Sequence, residues 1–184
     1  MSKKRVLLLL APGYEELEAV TVVDILRRAG IEVVMAGLEK GPVPSARDVK
    51  IIPDAVLDEV MDQEFDLIVL PGGLEGTERL AGDSRVEEIL KKQLEKGRGI
   101  GAICAAPTVL EKSGLATGKK LTCHPICQKE IRKALLKKDR VVQDGVIITS
   151  QAPGTAMEFA FRLVEFLEGP EKVEEVNKGV LAKL

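Results

Sequence analysis

The chain has 184 residues, enough for one compact domain with a full core and too few for two ordinary ones, so a single domain over 1–184 is expected. Its 45% hydrophobic and 30% charged content describes a soluble globular chain and excludes a disordered or membrane-embedded one. A formal net charge of -2, with Lys and Arg spread along the chain, leaves no basic footprint for specific nucleic-acid binding or for anionic lipid.

The opening MSKKRVLLLLAPGYEE has a basic prefix and an apolar run, but Pro12-Gly13 and acids cut the run short of a signal peptide. It reads as a first buried strand at 5–10. No later segment approaches the roughly 18 apolar residues of a membrane span. A helix over 15–29, stopped by Gly30, and a strand over 31–37 follow. The prolines at 42, 44 and 53 make 42–53 a short hairpin or edge excursion. DLIVL at 66–70 is a strand ending in Pro71-Gly72-Gly73, and Val86, Ile89, Leu90 and Leu94 form the apolar stripe of a helix over 84–96. Strand 99–103 then runs into a helix from 105. Beyond it the pattern predicts a strand at 119–123, a helix at 126–137, paired strands near 140–149, a helix at 154–168 and a terminal helix at 171–181. Strands alternating with amphipathic helices predict a mostly parallel sheet covered on both faces. The 154–168 helix is apolar on most of its circumference, which calls for cover from the terminal helix, a second subunit, or both.

In open parallel sheets, ligands bind beyond the carboxyl ends of the strands. Three pieces of this chain fall there: Glu15, Glu16 and Glu18 after the first strand, Gly72-Gly73 after 66–70, and Cys104 after 99–103. The small residues Gly101, Ala102, Ala105 and Ala106 leave room for a sharp strand-to-helix turn at the cysteine, a nucleophile elbow. Pro107 suits the first turn of the next helix, whose free N–H groups would favour a thiolate. The N–H groups of Gly72, Gly73 and Ala105 are the candidate donors to an oxyanion. His124, the only histidine, falls at the end of strand 119–123 and is the one imidazole available to assist Cys104. Cys123 and Cys127 read as small buried hydrophobes. Their spacing around His124 is not that of a zinc site, so no metal is expected. Gly97-x-Gly99-x-Gly101 precedes a strand and is no dinucleotide fingerprint. Three cysteines and no export signal point to free thiols in a reducing cytoplasm.

Taken in order, APGYEELEAV (11–20), RRAGIEVVMAGL (27–38), ARDVKIIPDA (46–55), LPGG (70–73), AICAAPTVL (102–110), CHP (123–125) and APGTAMEFA (152–160) closely resemble the ThiJ/PfpI superfamily in its Parkinsonism-associated deglycase branch. The resemblance implies a flavodoxin-like three-layer α/β sandwich and a homodimer. It makes Cys104 the nucleophilic, oxidation-sensitive cysteine and Glu18 the acid that hydrogen-bonds it. It also implies oxyanion amides from Gly73 and Ala105, His124 close by, and Arg47 reaching in near the dimer interface. The implied activity is glyoxalase or deglycase action, without a cofactor, on small 2-oxoaldehydes and glycated protein thiols or amines, giving 2-hydroxy acids, together with oxidative-stress protection.

A different class of function, a redox sensor or chaperone-like regulator working through a Cys104 sulfinate, needs the same residues. A glutamine amidotransferase is disfavoured because Pro125-Ile126 follows His124 in place of the His-x-Glu pair. Departures from the family pattern are Ser45 and Ile52 where animal members carry cysteines, Tyr14 in place of a small residue, expected to narrow the pocket, Gln151-Ala152 for Arg-Gly, and a divergent 126–142 stretch.

Overall fold

The computed structural model describes residues 3–183. β1 (Arg5–Leu10), α1 (Glu16–Arg28) and β2 (Glu32–Gly37) are followed by β3 (Val43–Pro44) and β4 (Lys50–Ile51), then β5 (Ala55–Val56) and the one-turn α2 (Leu57–Val60). β6 (Leu67–Leu70) leads to α3 (Leu74–Gly82) and α4 (Ser84–Glu95), and β7 (Gly99–Ile103) leads to α5 (Pro107–Lys112). β8 (Lys120–Leu121), a 3-10 helix (Pro125–Glu130) and β9 (Leu135–Leu136) form an excursion before β10 (Val141–Asp144), β11 (Ile147–Ser150), α6 (Ala156–Glu168) and α7 (Pro170–Val180).

The seven-stranded sheet has the order β10-β11-β7-β6-β1-β2-β5. Every neighbouring pair is parallel except β10 with β11. A strand buried on both faces needs no polar alternation, which is why β1 reads as an unbroken apolar run. Val6, Leu8 and Leu10 enter the core beneath α1, α6 and α7, whereas Leu7 and Leu9 enter the core beneath α2, α4 and α5. Helices on both faces make the flavodoxin-like three-layer sandwich. Among the described residues no helix is long and apolar enough to cross a membrane.

Three expectations change. The helix expected at 126–137 is a 3-10 helix over Pro125–Glu130 followed by extended chain. There the backbone is claimed from outside: Leu135 N–H donates to Lys119 C=O, Lys137 N–H to Leu121 C=O, and the N–H groups of Arg132 and Lys133 to the buried Glu111 carboxylate. The strand expected at 119–123 is two residues long and pairs with β9 in a separate sheet. It is tied to the main sheet by Thr122 N–H donating to the Thr149 hydroxyl, 2.9 Å away. α3 went unpredicted because two glycines in Leu74–Gly82 weaken its helical signal. Gly76 is there for space: a Cβ would come within 2.7 Å of Tyr14 N. Cover for α6 comes from α1 and α7 of the same chain.

Candidate active site

β7, β6 and β1 are neighbours in the sheet, so the chain leaving each of them arrives at one edge. At the end of β7 the backbone turns at Cys104 with φ of 64°, a left-handed conformation that costs a non-glycine residue energy. Tertiary hydrogen bonds hold it there. Cys104 N–H donates to Ser150 C=O (2.9 Å), and Cys104 C=O accepts from His124 N–H (2.8 Å). Pro107 then opens α5 at its first turn. The predicted elbow is present, and the thiol is half-buried.

After β6, Gly72 fills the space between Cys104 and Glu18. A Cβ there would lie 2.5 Å from Cys104 Cβ and 2.6 Å from Glu18 Oε2, so no side chain fits. Gly73 has φ of 89°, and a Cβ on it would meet Gly13 O at 2.2 Å. Glycine is required at both positions.

Gly72 does not serve as an oxyanion donor as expected, because its N–H donates to Glu18 Oε2 at 2.7 Å. The N–H groups of Gly73 and Ala105 are the ones that point at the sulfur. Glu18, on the buried face of α1, is fully enclosed, and its Oε1 has no conventional hydrogen-bond partner. Its remaining interaction is with the Cys104 thiol. Burial pushes the Glu18 carboxyl up to about 7, although Gly72 and Cys104 pull it down. Burial, then the Glu18 charge, pushes the Cys104 thiol well above its usual range, against the pull of the Gly73 and Ala105 amides. The helix-favoured free thiolate expected from sequence therefore gives way to a coupled pair. Two negative charges cannot coexist in so dry a space, so the pair carries at most one, on carboxylate or on sulfur.

Cys104 forms part of the wall of a cleft of about 400 Å³, together with Gly13, Glu15, Ala46, Arg47, Gly73, Leu74, Glu75, Ala105, His124, Ile126, Cys127 and Pro153. Arg47 Nη1 donates to Glu15 Oε2 at 3.0 Å, joining an exposed guanidinium to a buried carboxylate at the rim. His124 Nδ1 accepts from Ile126 N–H at 3.3 Å, which leaves Nε2 as the free ring nitrogen. It reaches the cleft through the β8–β9 excursion rather than from a strand of the main sheet.

Glu15 is buried and part of the cleft. Nothing local separates it from Glu16. Cys127, taken as core, also borders the cleft, and its spacing from His124 was the only hint. Tyr14 does not narrow the pocket: it is 1% exposed, and its hydroxyl donates to Val49 C=O, pinning the β3–β4 hairpin beside α1.

The DJ-1/PfpI family model matches residues 4–166. This chain belongs to the DJ-1/PfpI family. It is 48% identical to Drosophila melanogaster protein dj-1beta, over 97% of each chain. It is 41% identical to the Caenorhabditis elegans glutathione-independent glyoxalase DJR-1.2, over 99% of each. The crystal structure of Drosophila melanogaster DJ-1beta superposes with a TM-score of 0.97 at 47% identity over the whole of both chains. That of oxidized Toxoplasma gondii DJ-1 gives 0.95 at 34% identity, over 98% of this chain and 100% of that one. The segments 70–73, 102–110 and 123–125 meet at Cys104.

Proposed function

We propose that this chain is a cofactor-free glyoxalase and deglycase, using Cys104 on methylglyoxal-like 2-oxoaldehydes and their thiol or amine adducts. The observation that carries the reading is one arrangement: a buried carboxyl titrating near 7 beside a half-buried thiol faced by two backbone N–H groups, at a cleft of substrate size. The name of the Caenorhabditis elegans relative supports it.

In this mechanism the sulfur bonds to the aldehyde carbon while Glu18 takes the thiol proton, and the Gly73 and Ala105 amides hold the oxyanion. Glu18 returns that proton to the oxygen, giving a hemithioacetal. As carboxylate it then removes the hydrogen on the former aldehyde carbon and delivers it to the neighbouring carbon, while the hydroxyl proton of the hemithioacetal passes to the ketone oxygen, so that the ketone becomes a hydroxyl and the former aldehyde carbon a thioester carbonyl. The oxidation of one carbon is matched by reduction of the other, so no outside electron carrier takes part. Water breaks the resulting thioester, releasing a 2-hydroxy acid and restoring the thiol. With an adduct, the thiol or amine leaves as the bond to Cys104 forms. Arg47, steered by Glu15, offers a cation to the product carboxylate, and His124 presents Nε2 to the cleft.

A second reading, a redox sensor, draws on the same carboxyl. A protonated Glu18 can donate a strong O–H bond to a Cys104 sulfinate and slow further oxidation. Homodimerisation fits the exposed Leu17 and Val20 of α1 together with Val49 and Ile52 of the adjoining hairpin segment. The unpaired Cys104, Cys123 and Cys127 suit a reducing, cytoplasmic setting.

The test is methylglyoxal consumption with lactate detection in the wild type, Cys104→Ala and Glu18→Ala, beside intact mass after mild peroxide. Loss of turnover by at least about a hundredfold in both variants supports the enzyme. Absent turnover with a two-oxygen adduct on Cys104 replaces it with the sensor. Undiminished turnover in Cys104→Ala removes both.

A further inference from the structure

The net charge of -2 conceals an uneven distribution. The excursion over 117–138 holds seven cations, Lys119, Lys120, Lys129, Arg132, Lys133, Lys137 and Lys138, against one carboxylate, Glu130, so the remainder of the chain is acidic. Whole-chain charge gave no footprint for a polyanion, but folding draws the two ends of this excursion together. Gly118 N–H donates to Lys133 C=O (2.9 Å), Leu135 N–H to Lys119 C=O (2.8 Å) and Lys137 N–H to Leu121 C=O (2.8 Å). Strands paired in this way run about 4.8 Å apart, which sets Lys119 and Lys120 beside Lys133, Lys137 and Lys138.

The protein does not neutralise this cluster. Six of the seven cations are exposed and Lys119 is half-buried, and among the described residues none of them is ion-paired. Lysines on the helices behave otherwise: Lys96 pairs with Glu64 at 2.9 Å and Lys172 with Glu175 at 2.6 Å. Gathered like charges repel one another, a cost that an anionic partner would offset.

The same surface carries aliphatic side chains that the core does not use. Leu135 is 56% and Leu136 37% exposed. Lys120 and Leu135 are register partners in the β8–β9 pair and share a face, to which Lys137 returns two residues later. Leu121 takes the opposite face and is buried in the core. The outward face thus sets a leucine between ammonium groups on long stems. Such a face suits the boundary of a lipid bilayer, with leucine toward the acyl chains and lysines toward anionic headgroups. It does not suit a nucleic acid. The excursion has no α-helix to enter a groove, and no aromatic ring on which a base could stack: Tyr14, Phe65, Phe159 and Phe161 are buried, and Phe166 packs on the core beneath α6.

We infer that the 117–138 excursion is a docking surface for an anionic membrane, on which the protein rests without spanning it. β8 packs against β10 and β11, at the opposite end of the strand order from β2 and β5. Docking there leaves the exposed Leu17, Val20, Val49 and Ile52 free, and it is independent of any activity at Cys104.

Co-sedimentation of the full chain with vesicles tests the inference. The protein is expected to sediment with vesicles of equal parts phosphatidylcholine and phosphatidylserine, and to stay in solution with phosphatidylcholine alone. Raising ionic strength from about 0.1 M to about 1 M, which shortens screening from about 10 Å to about 3 Å, should release it. Lys133→Gln and Lys137→Gln combined should weaken binding about thirtyfold, and Leu135→Ser about tenfold. The two lysine side chains are exposed and unpaired, so this variant reports even where Leu135→Ser fails to fold. No sedimentation with the anionic vesicles, equal binding to the neutral ones, or unchanged affinity in the lysine variant would overturn the inference. Full affinity in a folded Leu135→Ser, or release from the vesicles by a short RNA duplex at lower concentration than by soluble phosphoserine, would overturn it in favour of a nucleic-acid surface.

Discussion

At Glu18 a single carboxyl links stability to pH. Its value is raised from 4.5 to about 7, so the folded chain holds this proton more tightly than the unfolded chain does. The contribution is fully present below the unfolded value and disappears as pH rises through about 7, on the order of 3 kcal/mol before allowance for the coupled thiol. Wild-type melting temperature should therefore fall between pH 5 and pH 8 by several degrees more than that of Glu18→Gln, which cannot ionise. Parallel melting curves for the two proteins would show that the carboxyl is not held protonated. The same proton governs turnover, since Glu18 acts as a base only once ionised. Burial at 18 was foreseeable from its place on the inner face of α1, but the orphaned Oε1 and the Gly72 N–H that occupies Oε2 follow from the meeting of three loops.

Among the elements, β7 shows how a strand can be written for its partner. Gly99 and Gly101 form no cofactor motif; they let α6 lie close on the sheet. A Cβ at Gly99 would approach Phe166 Cε1 to 2.7 Å and Leu67 Cδ1 to 2.8 Å, and one at Gly101 would reach Phe159 Cζ at 3.1 Å. Gly99→Ala should cost about 1–3 kcal/mol by overpacking, and Gly101→Ala less. Chemical denaturation of the two variants checks the order, and a reversed ranking would show that the rings of α6 are not what the glycines accommodate. The contrast with 125–137 explains which elements were legible. Runs such as DLIVL carry their own periodicity, and their boundaries are set by local Pro and Gly. Ile131, Leu135 and Leu136 are spaced as on a helix, yet their segment is pulled open by Glu111, Lys119 and Leu121, contacts no local pattern records.

For the molecule as a whole, the exposed Leu17, Val20, Val49 and Ile52 make the surface on which the proposed homodimer would rest. Leu17 is 61% and Ile52 76% exposed, and Tyr14 ties the hairpin segment to the start of α1 beside the Glu15–Arg47 pair. A charge introduced by Leu17→Glu should convert a dimer to monomer in sedimentation velocity without lowering helical content. A dimer that survives the change would place the interface elsewhere.

By itself the sequence determined the apolar strands, the amphipathic helices, the turn at Cys104 and the close glycines at 72 and 73. Each of these depends on residues near one another in the chain, where steric limits and hydrophobic period act directly. Only the tertiary structure decided that Gly72 serves Glu18 instead of an oxyanion, that Glu15 holds Arg47 at the rim, and that His124 arrives on a 3-10 turn. Those outcomes depend on burial and on hydrogen bonds between distant segments, which exist only once the sheet has brought the loops together.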